Sequence, residues 1–285
     1  MIGLSPHPDR PLVDRAVGFL QAGPQSAATL TRAVFGLDRA PDAIAERLAA
    51  ALLGADPRVR QLDDGRWALV PATQGAPRLA QCAFAVVDVE TTGTRARGDD
   101  RITEIAVVVV CDGRTELAFE SLINPGRSIP PWVSRLTGIT DALVRHAPRF
   151  EEVIDRVLAV LAGRVFVAHN AGFDWAFVSA EVRRARELAL VGPRLCTVQL
   201  ARRLVTGIRS RGLDALTHYF GLENPARHRA AGDALVTAQV LLRLLALAEE
   251  RGARTLEDLA ALRSPPRPRP SQGVNPVAEV DLEDC

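Results

Sequence analysis

Two carboxylates lie two positions apart in an apolar segment of the chain. Asp88 and Glu90 alternate there with Val87 and Val89. Side chains two apart in a β-strand point to the same face, so the two acids would project together. The repulsion between them is relieved by a hard divalent cation such as Mg²⁺ or Mn²⁺, which prefers oxygen ligands. Taken alone the pattern is weak, because an acidic pair that ends a strand is commonly a solvated hairpin tip.

Two later segments carry acids where helices are predicted to begin. Asp174 follows an apolar strand and a polar turn, and Asp233 opens a long apolar helix five positions after His228. Each segment also has an explanation that involves no catalysis, because a helix N-terminus favours an acid and a histidine is common on surfaces. Together, the order Asp-x-Glu, Asp, His-x₄-Asp within one α/β region predicts a single site. His169 falls in the polar turn before Asp174. Surface or packing positions are expected for His7, His146 and His218.

The first 72 residues have the composition of a small separate module. Apolar periodicity predicts three helices, over residues 12–21, 27–35 and 41–53, followed by two strands around the turn Asp63-Asp64-Gly65. Three helices and a hairpin are the order of a winged-helix-like domain. Its acids and arginines are nearly balanced, so DNA binding and a protein-docking role both stay open. Residues 73–81 are predicted to form a linker.

Residues 82–247 alternate between the periods of strands and helices. The predicted strands come first in a meander and then alternate with helices, which indicates an α/β fold with a mixed sheet covered by helices. The predicted strands cover residues 83–90, 102–111, 117–123 and 165–168, with a short one near residue 195, and the predicted helices cover 151–161, 173–188 and 230–248. Residues 248–262 are expected to form a helical extension. The Pro-rich and acidic tail, residues 263–285, is expected to be disordered.

Composition limits the classes of protein that remain. Of 285 residues 47% are hydrophobic, which is ample for a buried core. The net charge of +1 provides no overall electrostatic attraction to nucleic acid or to a membrane surface. The 35 basic residues are all arginine, which binds phosphate bidentately. The four cysteines form no C-x-x-C pair, no signal peptide is evident, and the longest unbroken apolar run, residues 105–111, is too short for a bilayer. A cytoplasmic protein without a membrane partner is expected.

The acidic segments resemble the three motifs of the DEDDh (DnaQ-like) 3′→5′ exonuclease superfamily, and most of all its DNA polymerase III epsilon subunit-like branch. The resemblance covers residues 82–247 and includes residues 100–105, 123–126 and 136–141. One departure is Cys196, which stands where many relatives carry an aspartate before threonine. That position is not a metal ligand in the family.

The resemblance implies a ribonuclease H-like, five-stranded mixed sheet and a two-metal nuclease site. Two divalent cations, Mg²⁺ or Mn²⁺, would be held by Asp88, Glu90, Asp174 and Asp233, with His228 as general base. The site would hydrolyse terminal phosphodiesters and release nucleoside 5′-monophosphates. The residues expected to bind the 3′-terminal nucleotide are Thr91, Thr92, Gly93, Thr137, Gly138, Asn170 and Phe173.

The sequence leaves several functions open. The expected partners are single-stranded or frayed 3′ ends of nucleic acid, and the epsilon-like segments favour DNA over RNA. An RNA exonuclease of the same fold is the first alternative, and an inactive nucleic-acid-binding or scaffold protein is a second. Proofreading for a polymerase and separate action in repair are both compatible with the sequence. The N-terminal module is a candidate contact for a polymerase or repair protein.

Overall fold

The computed structural model describes residues 1–5, 11–37, 40–54, 56, 58–70 and 78–263. The predicted tail, apart from its first residue, and most of the predicted linker lie outside these residues, as does His7. The described strands are β1 Gly3–Ser5, β2 Val59–Gln61, β3 Trp67–Leu69, β4 Phe84–Thr91, β5 Ile102–Cys111, β6 Arg114–Leu122, β7 Val165–Ala168, β8 Ala189–Val191 and β9 Arg194–Cys196. The described helices are α1 Pro11–Leu20, α2 Ala27–Phe35, α3 Asp42–Leu53, α4 Pro131–Thr137, α5 Asp141–Val144, α6 Phe150–Leu161, α7 Ala171–Arg186, α8 Thr197–Leu204, α9 Leu213–Tyr219, α10 Ala230–Glu250 and α11 Leu256–Ala261.

A five-stranded mixed sheet forms the centre of the second region. Its strand order is β6-β5-β4-β7-β9, with β4, β5 and β6 antiparallel and with β7 parallel to both β4 and β9. The meander of β4, β5 and β6 followed by alternating strands and helices produces this topology, because parallel neighbours need a crossover helix. The predicted α/β class and mixed sheet are therefore confirmed.

Helices cover both faces of this sheet, and the alternation along β4 decides which core each side chain enters. Phe84 and Val86 pack with α8 and α10 on one face. Ala85 and Val87 pack with α6 and α7 on the other. Strand β4 is thus buried on both sides along its apolar part, and only its last residues are free to carry polar groups.

Helix α10 is the longest described element, with 21 residues. By length and composition alone it is apolar enough to cross a membrane, which the short unbroken apolar runs of the sequence did not indicate. Val240, Leu241 and Leu244 are fully buried in the core that α10 forms with the sheet. Packing inside this fold accounts for the apolar character of the helix.

The N-terminal region contains the predicted three helices and hairpin. Helices α1, α2 and α3 pack with the hairpin of β2 and β3 around a core of their own that includes Leu30, Leu53 and Trp67. Ser26 caps α2 by accepting a hydrogen bond from the backbone N–H of Thr29. The element order agrees with the prediction, whereas the winged-helix interpretation stays a prediction.

Strand β1 was not predicted. Gly3–Ser5 pairs antiparallel with Ala189–Val191, and Ile2 is buried in the core between the sheet and helices α6 and α7. Residues 1–5 were predicted to belong to the N-terminal module, but their described contacts are with the region of the five-stranded sheet. Three residues are too few for a period of two to be recognised.

Candidate active site

Asp88 and Glu90 lie at the carboxyl-terminal end of central strand β4. They continue the face of Phe84 and Val86, while Val89 joins the opposite core, as the strand period requires. A β-bulge follows directly, between Glu90 and Thr91. Carboxylate oxygens of Asp88, Glu90 and Asp233 all lie within 4.8 Å of one another.

Asp174 reaches the same strand end from the first turns of α7. The chain enters this helix through Asn170, whose backbone is left-handed with φ of 73°. Asp174 is 3% exposed, and its Oδ1 accepts a hydrogen bond of 3.2 Å from the backbone N–H of Val89. That bond fixes the carboxylate of Asp174 close enough to Asp88 for the two charges to interact.

Asp233 and His228 are held together at the start of α10. Asp233 accepts hydrogen bonds from the Asn224 side chain at 2.5 Å and from the backbone N–H of His228 at 3.0 Å. His228 has a φ of 60°, a left-handed conformation that is uncommon for residues other than glycine. His228 is half-buried, and its imidazole is close enough to Asp233 for their charges to interact.

Burial dominates the electrostatics of the four acids. Desolvation raises the pKa of Asp88 well above its ordinary value, and the charges of Asp174, Asp233 and Glu90 add to it. Desolvation and then Asp233 raise the pKa of Glu90 to about 8, and desolvation raises that of Asp174 to about 8. The pKa of Asp233 is also raised, chiefly by desolvation. Carboxylates crowded at one strand end supply the oxygen ligands that a hard divalent ion prefers, so the residues fit the metals that the resemblance implies.

Glu104 and Arg229 belong to the site and were not singled out from the sequence. Glu104 lies directly opposite Glu90 across β4 and β5 and is 1% exposed. Its carboxylate accepts hydrogen bonds from Arg229 Nη2 at 2.6 Å, from Arg229 Nε at 3.1 Å and from the backbone N–H of Ala230 at 2.9 Å. The available signal was an acid inside the apolar run of β5, which requires a partner when buried.

The Thr91-Thr92-Gly93 turn is shaped by its own hydroxyl groups. Thr91 Oγ1 donates to the Gly93 carbonyl at 2.5 Å, and Thr92 Oγ1 accepts from the backbone N–H of Arg101 at 3.0 Å. A Cβ added at Gly93 would collide with the carboxylate of Asp100, so the loop closes only around glycine there. Any substrate contact of this turn would therefore come from its backbone.

The other predicted substrate residues divide into two groups. Asn170 is exposed beside Asp174, and Phe173 is half-buried against Phe177, with ring centroids 4.9 Å apart. The Thr137 hydroxyl is buried and bonds locally to Val133 and Ile139, next to the left-handed Gly138. The described contacts do not join Thr137 to the carboxylates.

His169 lies in the turn that precedes Asn170, as predicted. Its Nδ1 is 2.9 Å from Thr197 Oγ1, and desolvation lowers the pKa of His169 to about 4. It is therefore neutral near pH 7 and supports the turn.

The strand order and the acids at the end of its central strand define the ribonuclease H-like class of α/β folds. Residues 85–241 match the sequence profile of the RNase T family, which is described as exonuclease. The chain belongs to this exonuclease family, and its resemblance to the DEDDh superfamily is confirmed.

Individual relatives and solved structures are consistent with membership of this family. The chain is 41% identical over 186 residues to a DNA polymerase III subunit epsilon-like protein of Rhodobacter capsulatus, covering 62% of this chain and 26% of the relative. It is 37% identical over 179 residues to the 3′-5′ exonuclease DinG of Bacillus subtilis, covering 63% of this chain and 19% of the relative. Among solved structures, Exonuclease X in complex with 5′ overhanging duplex DNA aligns with a TM-score of 0.51 and 31% identity, covering 63% of this chain and 98% of that one. The chain spans less than a third of the length of the first curated relatives.

Proposed function

We propose that this chain is a metal-dependent 3′→5′ exonuclease that releases nucleoside 5′-monophosphates from the ends of DNA. The observation that carries the proposal is the convergence of four acids, two buried and two half-buried, from β4, α7 and α10 beside one histidine. The names of the Rhodobacter and Bacillus relatives support the reaction class.

Each residue of the site has a defined task in this reaction. Asp88, Glu90, Asp174 and Asp233 would hold two divalent cations, Mg²⁺ or Mn²⁺, which supply Lewis-acid stabilisation of the phosphoryl oxygens. His228 takes a proton from the attacking water, a role that suits an imidazole near neutral pH. The backbone of the Thr91-Thr92-Gly93 turn, with Asn170 and Phe173, holds the terminal nucleotide. Thr137 and Gly138, at the end of α4, are proposed to contact the same nucleotide.

DNA is the proposed substrate, as single-stranded or frayed 3′ ends. The epsilon-like segments favour it, and the similar Exonuclease X structure is a complex with 5′ overhanging duplex DNA. Matched single-stranded DNA and RNA of one sequence test the choice. Faster hydrolysis of the RNA would favour the alternative of an RNA exonuclease, since the discrimination depends on contacts near the 2′-hydroxyl.

Proofreading or repair in the cytoplasm is the proposed setting. The epsilon-like relative supports a link to DNA synthesis. The N-terminal helices and hairpin are the proposed contact for a polymerase or repair protein. Pull-down experiments with and without α1, α2 and α3 test this role, and equal recovery of partners would exclude it.

The reaction is tested by release of nucleoside monophosphate from a labelled oligonucleotide. We expect activity with Mg²⁺ or Mn²⁺ and none with a chelator. Asp88→Ala should abolish it, while Asp112→Asn, which removes an exposed acid at the far end of the same sheet, should not. Near-normal activity of Asp88→Ala would refute the assignment.

A further inference from the structure

A second concave surface lies along α7, away from the carboxylate cluster. We call it the arginine groove and define it by Arg97, Trp175, Ser179, Arg183, Arg184 and Arg194. Its volume is about 840 Å³, within the range of ligand sites in proteins. Helix α7 forms its floor, strand β8 and Arg194 form one wall, and the loop after the Thr91-Thr92-Gly93 turn forms another.

Small residues along α7 create the depth of the groove. Gly172, Ala176 and Ala180 are four positions apart and therefore share one side of the helix. A Cβ added at Gly172 would have no atom within 4 Å, so this end of the groove is open. From Gly172 to Arg183 the helix rises about 16 Å, which is long enough to follow several phosphates of a strand.

The charge of the groove is positive and largely uncompensated. The described residues that line it include four arginines and no carboxylate. Arg97, Arg183 and Arg194 form no ion pair with a described acid, whereas Arg184 is tied to Glu181 and to the carbonyl groups of the neighbouring loop. Because the whole chain carries a net charge of only +1, this concentration of guanidinium groups is local and favours an anionic ligand.

An aromatic surface accompanies these charges. The Arg194 guanidinium lies 4.8 Å from the centroid of the Trp175 ring, and the edge-to-face contact of Trp175 with Phe166, at 5.1 Å, holds the indole in place. Guanidinium groups that bind phosphates beside an aromatic ring that stacks bases are the combination with which proteins bind single strands.

The groove shares its elements with the candidate active site. Gly172 lies two residues before Asp174, and Arg97 lies in the loop that begins at Gly93. We propose that the arginine groove binds the phosphodiester backbone of the substrate strand on the 5′ side of the cleaved bond. The proposal rests on the proposed function, because it assigns the continuation of the same substrate.

Arg97→Gln combined with Arg183→Gln tests the groove, because neither side chain supports a described contact. The matched control is Arg202→Gln combined with Arg243→Gln, which removes two exposed charges from α8 and α10 on the opposite face of the sheet.

Binding of a fluorescent single-stranded DNA is measured by anisotropy in chelator at about 50 to 200 mM salt. Hydrolysis of the p-nitrophenyl ester of thymidine 5′-monophosphate, which fills the active site alone, is measured with Mn²⁺.

We expect the groove variant to bind the oligonucleotide at least about fivefold more weakly, and the slope of log affinity against log salt to decrease by about 0.7 for each lost contact. Its hydrolysis of the ester should match the wild type, and the control variant should change neither quantity. Equal oligonucleotide affinity and salt slope in the two variants would overturn the groove assignment. Wild-type protein that hydrolyses neither the ester nor DNA would instead refute the proposed function, and the anisotropy comparison would still decide whether the groove binds a strand.

Discussion

At the scale of single residues, the site concentrates charge that the fold alone does not compensate. Desolvation is the largest cause of the raised pKa values of Asp88, Glu90, Asp174 and Asp233. A carboxyl with a raised pKa in the folded state binds more protons than in the unfolded chain, so the free energy of unfolding decreases as pH rises through that interval. The acids thus reduce stability in return for a cation site.

Asp174→Asn should therefore stabilise the metal-free protein at alkaline pH. The pKa of Asp174 is about 8 in the folded state, and an unfolded aspartate titrates near 4. The advantage of the variant should be absent below about pH 4, grow between about pH 4 and 8, and reach roughly 1 to 3 kcal/mol. Urea unfolding in chelator measures it, with Asp112→Asn as control. A variant less stable than wild type at pH 8 would contradict the expected cost of burying the charged carboxylate.

His228→Asn should lose rate and keep metal binding. Asparagine tolerates the left-handed backbone observed at this position, so the change removes the imidazole without adding strain. Loss of a general base typically reduces the rate by about 10² to 10⁴. Nucleotide release measures the rate, and calorimetric titration with Mn²⁺ measures affinity. If Mn²⁺ affinity fell with the rate, His228 would be a ligand and no longer the assigned base.

At the scale of elements, an ion pair connects β5 to the start of α10. Arg229 joins Glu104 across 125 positions of sequence, and the same carboxylate accepts the backbone N–H of Ala230. The segment between His228 and Asp233 is therefore fixed at Arg229 by β5 and at Asp233 by the His228 backbone. This arrangement makes Glu104 and Arg229 positioning residues for the proposed base.

Arg229→Gln should lower kcat about tenfold while leaving Mn²⁺ affinity near that of the wild type, because a displaced base costs rate steeply. Arg227→Gln is the matched control, since Arg227 lies two positions before Arg229 and pairs with exposed Asp214. The double variant with Glu104→Gln should lose no more than the single one if both act through one contact. Additive losses, or normal kcat in Arg229→Gln, would argue against positioning.

Some of these elements could be predicted from the sequence and some of their contacts could not, for physical reasons. Strands β4 and β5 and helix α10 are long apolar segments and α6 carries one apolar stripe, so all four could be predicted; Asp88 and Glu90 end β4, Asp174 lies in the first turn of α7, and Asp233 lies in the first turn of α10. The Glu104–Arg229 pair could not be predicted, because a contact between distant segments leaves no local period. The inward bonds of the Thr91 and Thr92 hydroxyls depend on the closing of the loop around Asp100, which a sequence pattern does not specify.

At the scale of the whole molecule, the N-terminal module is attached to the exonuclease domain on both sides. Before it, β1 pairs with β8 and the Ile2 N–H donates to the Arg164 carbonyl at 2.8 Å. After it, Arg78 bridges Thr255 and the Leu79 N–H donates to the Arg254 carbonyl at 2.8 Å. The module thus lies between two docked segments, so removing everything before residue 78 also removes part of the exonuclease core.

Ile2→Ala should consequently destabilise the exonuclease domain, although it lies at the start of the chain. Ile2 is 5% exposed beneath α6 and α7, and replacing a buried isoleucine with alanine costs about 2 to 4 kcal/mol. Leu37→Ala, at a leucine that is 46% exposed in the N-terminal region, should stay within about 0.5 kcal/mol of wild type. Urea unfolding followed by Trp175 fluorescence, with the other two tryptophans replaced by phenylalanine, reports on the domain itself. An unchanged midpoint for Ile2→Ala would mean that the buried Ile2 side chain contributes nothing to the stability of the exonuclease domain.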